Sequence, residues 1–136
     1  RLICDEFYGT DGEHGYGYGQ DEDQGQLGSW YVLSAMGLFD VQGGACSEPT
    51  YQIGSPEFDE IIVHLSKFNT KGGEFKIRTI GNSADAMYVQ SATFNGKPLD
   101  NCWLYRRDVF NGGELVLTMG TEPSDVWSGS TPPVSR

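Results

Sequence analysis

The hydrophobic pattern of the chain changes from helical to alternating near residue 50. Between residues 24 and 38 apolar side chains occupy most positions, which predicts a helix with Asp23 as its N-cap and Gly37 as its terminator. The apolar residues surround the predicted axis instead of forming one stripe: Leu27, Trp30, Tyr31, Val32, Leu33, Ala35, Met36, Leu38 and Phe39. A helix that is apolar on all sides has to be covered on all sides. Because no second long helix is predicted, we expect its natural partners to lie outside this chain.

From Tyr51 onward apolar and polar residues alternate, which is typical of half-buried strands. The alternation predicts strands near residues 61–65, 74–80, 88–94 and 114–119, with one helical turn over 106–110. Asn95 and Gly96 follow the third of these strands and predict a tight hairpin turn. Short strands separated by turn residues predict an antiparallel β-sandwich.

The first 23 residues have a different composition, with glycines interleaved with tyrosines. So much glycine opposes helix and strand alike and indicates an irregular loop. We therefore predict an α+β, mostly β chain that divides near Gly43 and Gly44. Residues 1–43 would hold the Gly/Tyr loop and one long buried helix, and residues 44–136 would form the antiparallel β region.

The candidate functional residues directly precede the predicted helix. Asp21, Glu22 and Asp23 are consecutive carboxylates, and in an extended segment the side chains of Asp21 and Asp23 point the same way. Carboxylates beside an apolar wall are costly unless they do chemistry or bind a cation. The aromatic residues Trp30 and Tyr31 follow closely, and aromatic walls beside carboxylates are typical of sugar-processing sites. A solvated acidic loop with one helix cap is the alternative interpretation.

Other motifs exclude several chemistries. Counted from Asp21, an EF-hand would need an oxygen ligand where Gly25 stands and a glutamate where Val32 stands. No Gly-x-Ser-x-Gly motif occurs, so acyl transfer finds no support. The three cysteines lack the spacing of a zinc site, which leaves one disulfide or three free thiols open: Cys4, Cys46 and Cys102.

The net charge of the chain limits the kinds of partner that it can bind. The formal net charge is −10, and no lysine or arginine occurs between Arg1 and Lys67. Such a surface repels phosphate backbones, which argues against nucleic-acid binding and favours an uncharged substrate or a cation. No stretch approaches the roughly 20 apolar residues of a membrane span. Because the chain starts at Arg1 without a signal sequence, we expect a processed precursor or a piece of something larger.

Residues 19–37 resemble the signature helix of the calcium-dependent exo-α-mannosidases of glycoside hydrolase family 92. That family typically shows Gly, a polar residue, two or three acids and then Gly-Gln-Met-Ser-Ala-Trp-Tyr-Val. The similarity continues in order through residues 51–59, 90–99, 112–115 and 119–123, so it covers nearly the whole chain. Two departures are Gln20 in place of Asn or Asp, and Leu27 with Gly28 in place of Met-Ser.

The resemblance implies that the chain is the last part of such an enzyme, namely the final helix of an (α/α)6 barrel and the β region after it. It implies hydrolysis of terminal α-mannosides, often α-1,2-linked, with inversion, and a Ca²⁺ ion that engages mannose hydroxyls. The base of the family maps onto Asp21 and Asp23, with Asp23 favoured as the base and Asp21 assisting. No general acid is found in this chain, so we expect a glutamic acid upstream.

The same resemblance implies mannose-containing glycans as partners, N-glycan processing, and a secreted, periplasmic or cell-surface location. It also implies that this chain needs the upstream barrel and an N-terminal β-sandwich of its own polypeptide. We therefore expect the isolated chain to be inactive. The alternative, from a different class, is a non-catalytic carbohydrate- or calcium-binding β-sandwich whose acids only hold an ion.

Overall fold

The structure is a computed structural model that describes residues 1–9, 25–131 and 133. In chain order, its helices and strands are α1 (Leu2–Phe7), α2 (Gln26–Ala35), β1 (Leu38–Phe39), β2 (Thr50–Ile53), β3 (Glu60–His64), β4 (Glu74–Ile80), β5 (Tyr88–Phe94), β6 (Lys97–Pro98), β7 (Trp103–Tyr105), α3 (Arg106–Phe110) and β8 (Gly113–Gly120). The prediction of a mostly β chain with few helices is confirmed. The prediction of an irregular Gly/Tyr loop over the first 23 residues is wrong for Leu2–Phe7, which form α1 because the glycines begin only at Gly9, and residues 10–23 of the predicted loop lie outside the described residues.

The larger sheet has five strands in the order β3-β4-β8-β5-β6. Each strand pair in it is antiparallel except β4 with β8, which run parallel from Phe75 beside Gly113 to Ile80 beside Thr118. The prediction of a wholly antiparallel region is wrong for this pair. A parallel neighbour needs a long crossover, and β5, β6, β7 and α3 supply it between β4 and β8.

The smaller sheet has three antiparallel strands in the order β1-β2-β7 and shares one hydrophobic core with the larger sheet. Its contribution to the core includes Leu38 and Leu104. Alternate residues of β4 and β8 point into the same core, as their patterns predict: Phe75, Ile77, Leu115, Leu117 and Met119.

Helix α2 is shorter than predicted and is partly exposed in this chain. Its N-cap is Gly25, which has a left-handed backbone (φ 80°), so Asp23 is not the N-cap. Gly37 is confirmed at the other end, where φ is 73° and an added Cβ would lie 2.6 Å from Pro56 Cγ. Ala35 is the buried residue of α2, whereas Val32 is 56% exposed, because in the described part of the chain the helix packs mainly on β1 and α1.

The expectation of a long buried helix, the last of an (α/α)6 barrel, stays a prediction, since the partners expected to cover α2 lie outside this chain. The predicted boundary near residue 43 also stays a prediction, although β1 on its N-terminal side pairs with β2 on its C-terminal side. Within the described ranges no helix combines the length and the apolar character required to cross a bilayer.

Candidate active site

Asp21 and Asp23, the predicted catalytic residues, lie outside the described residues. The structure instead describes the two ends of the segment that carries them. The chain enters residues 10–24 from Gly9, just after α1, and leaves them at Gly25, the N-cap of α2. In the sequence the acidic run ends two residues before Gly25, and the helix dipole favours negative charge at a helix N-terminus.

Tyr8 holds these two ends together. Its ring stacks on Trp30 with centroids 5.4 Å apart and on Tyr31 with centroids 5.0 Å apart. Its hydroxyl donates a hydrogen bond to the carbonyl oxygen of Leu27 at 3.4 Å. Residues 27, 30 and 31 are spaced i, i+3 and i+4, so they share one face of α2. The sequence pattern predicted only an irregular loop for the first 23 residues and gave no sign of this contact.

A cavity of about 370 Å³ opens beside the first turns of α2. Three aromatic side chains contribute to its wall, namely Trp30, Phe39 and Tyr51, and polar groups include Asp40 and Arg106. This volume lies within the range of small-molecule sites, which combine apolar walls with a few polar groups. The cavity can therefore accommodate a sugar ring.

The protonation state of Tyr51 suits hydrogen bonding in this cavity. Burial raises the pKa of Tyr51, the nearby Arg106 guanidinium lowers it, and Asp40 raises it again. The phenol is already protonated at neutral pH at its ordinary pKa of 10.0, and a raised pKa leaves it able to donate a hydrogen bond. The sequence pattern did not predict this group, because its members are distant in sequence: the pairing of β1 with β2 brings Asp40 near Tyr51, and the pairing of β2 with β7 brings Arg106 near it.

Helix α1 is attached to the β region at its N-terminal end. The Arg1 guanidinium donates to the carbonyl oxygen of Pro56 at 3.2 Å and to Asn82 Oδ1 at 2.6 Å. Cys4, the buried residue of α1, is 3% exposed. Burial raises the pKa of the Cys4 thiol, and the Glu57 carboxylate raises it further.

We expect Cys4 to be alkylated by iodoacetamide more slowly than Cys46 and Cys102. The reactive form is the thiolate, which a raised pKa and burial both disfavour. All three thiols are free, so each one reports on its own surroundings. Peptide mass spectrometry after timed labelling of the folded chain at mildly alkaline pH measures the three rates.

The pH dependence of stability follows from the same shift. The pKa of Cys4 is higher in the folded chain than its ordinary value of 9.0. The contribution of Cys4 to the free energy of unfolding is therefore complete below that pH and is lost as the pH rises above it.

In the labelling experiment, equal alkylation rates at all three cysteines would show that α1 is not docked on the β region.

The described residues contain no cluster of the side chains that most often bind metal ions. Among residues 1–9, 25–131 and 133 no three His, Cys, Asp or Glu side chains are grouped so that they could hold a metal ion. The acidic run 21–23 lies outside these ranges. Its carboxylate oxygens have the donor chemistry that Ca²⁺ prefers.

The described fold is found in glycosyl hydrolases of known structure. A family 92 glycosyl hydrolase named ccman5 matches with a TM-score of 0.80 and 34% identity over 94% of this chain and 16% of its own. A family 92 inverting mannosidase from Bacteroides thetaiotaomicron matches with a TM-score of 0.78 and 34% identity over 98% of this chain and 17% of its own. Enzymes that cleave glycosidic bonds are thus the class that shares this fold.

The sequence comparisons identify the family of the chain. The glycosyl hydrolase family 92 catalytic domain matches residues 1–121. A curated protein described as an uncharacterized secreted glycosidase of Arthroderma benhamiae is 32% identical over 111 residues, which are 80% of this chain and 14% of that protein. The chain therefore belongs to glycosyl hydrolase family 92, and it spans only 14–17% of the length of these relatives.

Proposed function

We propose that the full-length protein is an inverting, calcium-dependent exo-α-mannosidase, and that this chain supplies its general-base carboxylates. Asp23 is the base and Asp21 assists it. The observation that carries the proposal is the family 92 match over residues 1–121, because this range includes the acidic run. The similarity of the chain to an inverting mannosidase supports the stereochemistry.

In this mechanism Asp23 takes a proton from a water molecule as the water attacks the anomeric carbon, while the glycosidic C–O bond breaks and the general acid protonates the leaving oxygen. Inversion requires the acid on the opposite side of the sugar, about 6.5–9.5 Å from the base. Asp21 and Asp23 are too close in sequence to be that acid and base pair, so the general acid belongs to another part of the polypeptide. The negative charge of Asp21 favours proton uptake by Asp23, because a neighbouring like charge raises a carboxyl pKa.

The cavity beside α2 supports a sugar as the substrate. Trp30 and Tyr51 offer apolar surface to the ring faces of a pyranose, and Asp40 and Arg106 offer hydrogen-bonding groups to its hydroxyls. We propose that the ring enters this cavity from the side of the α2 N-terminus, since Gln26, the first residue of α2, lines the cavity.

Calcium dependence is part of the proposal. The ion, when bound, supplies a positive charge for the mannose hydroxyls. In this chain the carboxylates of the acidic run are the groups whose chemistry suits it. Loss of turnover on chelation, with recovery on added Ca²⁺ but not Mg²⁺, supports this part. Full activity in chelator contradicts it.

The substrates proposed for the full-length protein are mannose-containing glycans, including N-glycans, often with α-1,2 linkages. A secreted or cell-surface location fits such substrates, and the A. benhamiae relative is described as a secreted glycosidase. The chain alone is expected to be inactive, since it covers 16–17% of the solved relatives and lacks the proposed acid.

Proton NMR of early turnover tests the proposal. The full-length protein is given an aryl α-mannoside, and inversion predicts β-mannose as the first product. The 136-residue chain at the same concentration is the matched control and is expected to release no mannose. Initial formation of α-mannose would contradict inversion, absence of mannose release by the full-length protein would contradict the activity, and release by the short chain would contradict its dependence on an upstream acid.

A further inference from the structure

A second cavity lies beside the start of β5 and has a volume of about 410 Å³. Among the described residues, it shares no lining residue with the cavity beside α2. Its lining includes the aromatic residues Tyr88 and Trp127 and the polar residues Ser124, Asp125 and Ser128. Most of its described lining residues follow residue 121, where the match to the family 92 domain ends. That match therefore does not account for this cavity.

A β-bulge in β5 holds the segment that completes the cavity. The ladder between β5 and β8 shifts register between Val89 and Ser91, so Gln90 is an extra residue in β5. Its side-chain amide donates a hydrogen bond to the carbonyl oxygen of Glu122 at 2.8 Å. Gly120 leaves room for this side chain, because a Cβ at that position would lie 2.8 Å from the Gln90 Cγ. The bulge thus holds the chain that follows β8 beside the start of β5.

Trp127 is a fixed wall of the cavity. Its indole N–H donates a hydrogen bond to the carbonyl oxygen of Leu99 at 3.0 Å, and its ring packs against the hydrophobic core. The chain after it is held as well, since the backbone N–H of Cys102 donates to Ser130 Oγ at 3.0 Å. These contacts fix the ring before a ligand arrives, so that binding requires little ordering of this wall.

The polar groups of the cavity favour a neutral ligand that is rich in hydroxyls. Tyr88 is 40% exposed, and in the described part of the chain neither its hydroxyl nor the Asp125 carboxylate has a hydrogen-bond partner. Ser124 and Ser128 add two hydroxyls, and no lysine or arginine is among the described lining residues. The negative charge of Asp125 repels phosphates and other anions. Two aromatic rings with a few hydrogen-bonding groups are therefore offered to an uncharged ring.

We propose that this second cavity binds a neutral hexopyranose unit of a glycan. Tyr88 and Trp127 contact the apolar surface of the sugar ring, and Asp125 accepts hydrogen bonds from its hydroxyls. Tyrosine and tryptophan offer large, rigid contact surfaces and lose little side-chain entropy on binding. Glycoside hydrolysis requires two carboxyl groups, whereas the described lining contains only Asp125, so the cavity binds without cleaving. The choice of mannose as the bound sugar rests on the proposed function.

Affinity electrophoresis of the full-length protein, in native gels with and without a neutral α-mannan, measures this binding. The mannan is expected to retard the wild-type protein. Tyr88→Ala and Asp125→Ala are each expected to weaken the apparent affinity by roughly 10-fold, because truncation of a central contact typically costs this much. Phe68→Ala removes a 91% exposed ring on the β3–β4 connection and is the matched control, with unchanged retention.

Kinetics with a small and a polymeric substrate separate this inference from the proposed function. In Tyr88→Ala, kcat and KM for an aryl α-mannoside are expected to stay within about 2-fold of wild type. The KM for mannan is expected to rise by roughly 10-fold, because the second cavity raises the effective concentration of a tethered glycan.

Three results would each overturn the inference: no retention of the wild-type protein, equal retention of wild type and Tyr88→Ala, or a matching loss in Phe68→Ala. Absence of aryl α-mannoside hydrolysis by the wild-type protein would instead overturn the proposed function. In that case, retention that depends on Tyr88 still supports the glycan-binding cavity.

Discussion

Replacing Asp23 by asparagine in the full-length enzyme is expected to lower kcat by about 1000-fold while KM changes little. Asparagine keeps the size and hydrogen-bonding capacity of the side chain but cannot accept the proton of the attacking water. General-base catalysis contributes on the order of 100- to 10,000-fold to a rate. Because a base acts in the transition state, its loss appears in kcat and not in substrate binding. Steady-state hydrolysis of an aryl α-mannoside measures both constants.

Glu22→Gln is the matched control for this experiment. It neutralises the carboxylate between Asp21 and Asp23, and in an extended segment this side chain points to the opposite side. We expect it to change kcat by less than about 10-fold, an electrostatic effect alone. Undiminished turnover in Asp23→Asn would favour the alternative in which the acids of a non-catalytic module only hold an ion.

Replacing Phe75 by alanine is expected to lower the free energy of unfolding by about 3–5 kcal/mol. Phe75 is 0% exposed, and its ring lies 6.4 Å from that of Phe94 across the larger sheet. Its strand lies between β3 and β8, so the cavity left by the ring is enclosed on both sides. Urea denaturation of the 136-residue chain, followed by tryptophan fluorescence, measures the change.

Phe68→Ala is the control for this denaturation experiment, because it makes the same chemical change at a residue that is 91% exposed. It is expected to alter the free energy of unfolding by less than about 0.5 kcal/mol. Similar losses at positions 68 and 75 would contradict the described core.

The strand positions followed from the sequence because alternation is a local property. Residues 74–80 and 88–94 form strands at the predicted bounds, and Asn95 and Gly96 form the expected turn with positive φ angles of 50° and 76°. The short helix over residues 106–110 is also confirmed. In each case the side chains of neighbouring residues suffice to decide the backbone conformation.

Strand neighbours and the cavity did not follow from the sequence, because they depend on contacts between distant segments. Alternation in residues 113–120 predicts a strand with one buried face but does not say that it lies parallel to β4. The start of α2 was placed too early, since Gly25 adopts a left-handed backbone that interrupts the helix. Tyr8 gave no periodic signal because it lies between two elements.

The position of β8 in the middle of the larger sheet determines when this part of the protein can fold during synthesis. The β3–β4 and β5–β6 hairpins each form between segments that are close in sequence. No strand hydrogen bonds connect the two hairpins until β8, the last strand described, inserts between them. A nascent chain that ends before residue 113 therefore exposes two bare strand edges, which are prone to pair with other chains. The ribosome must therefore release the chain through Gly120 before the sheet can be completed.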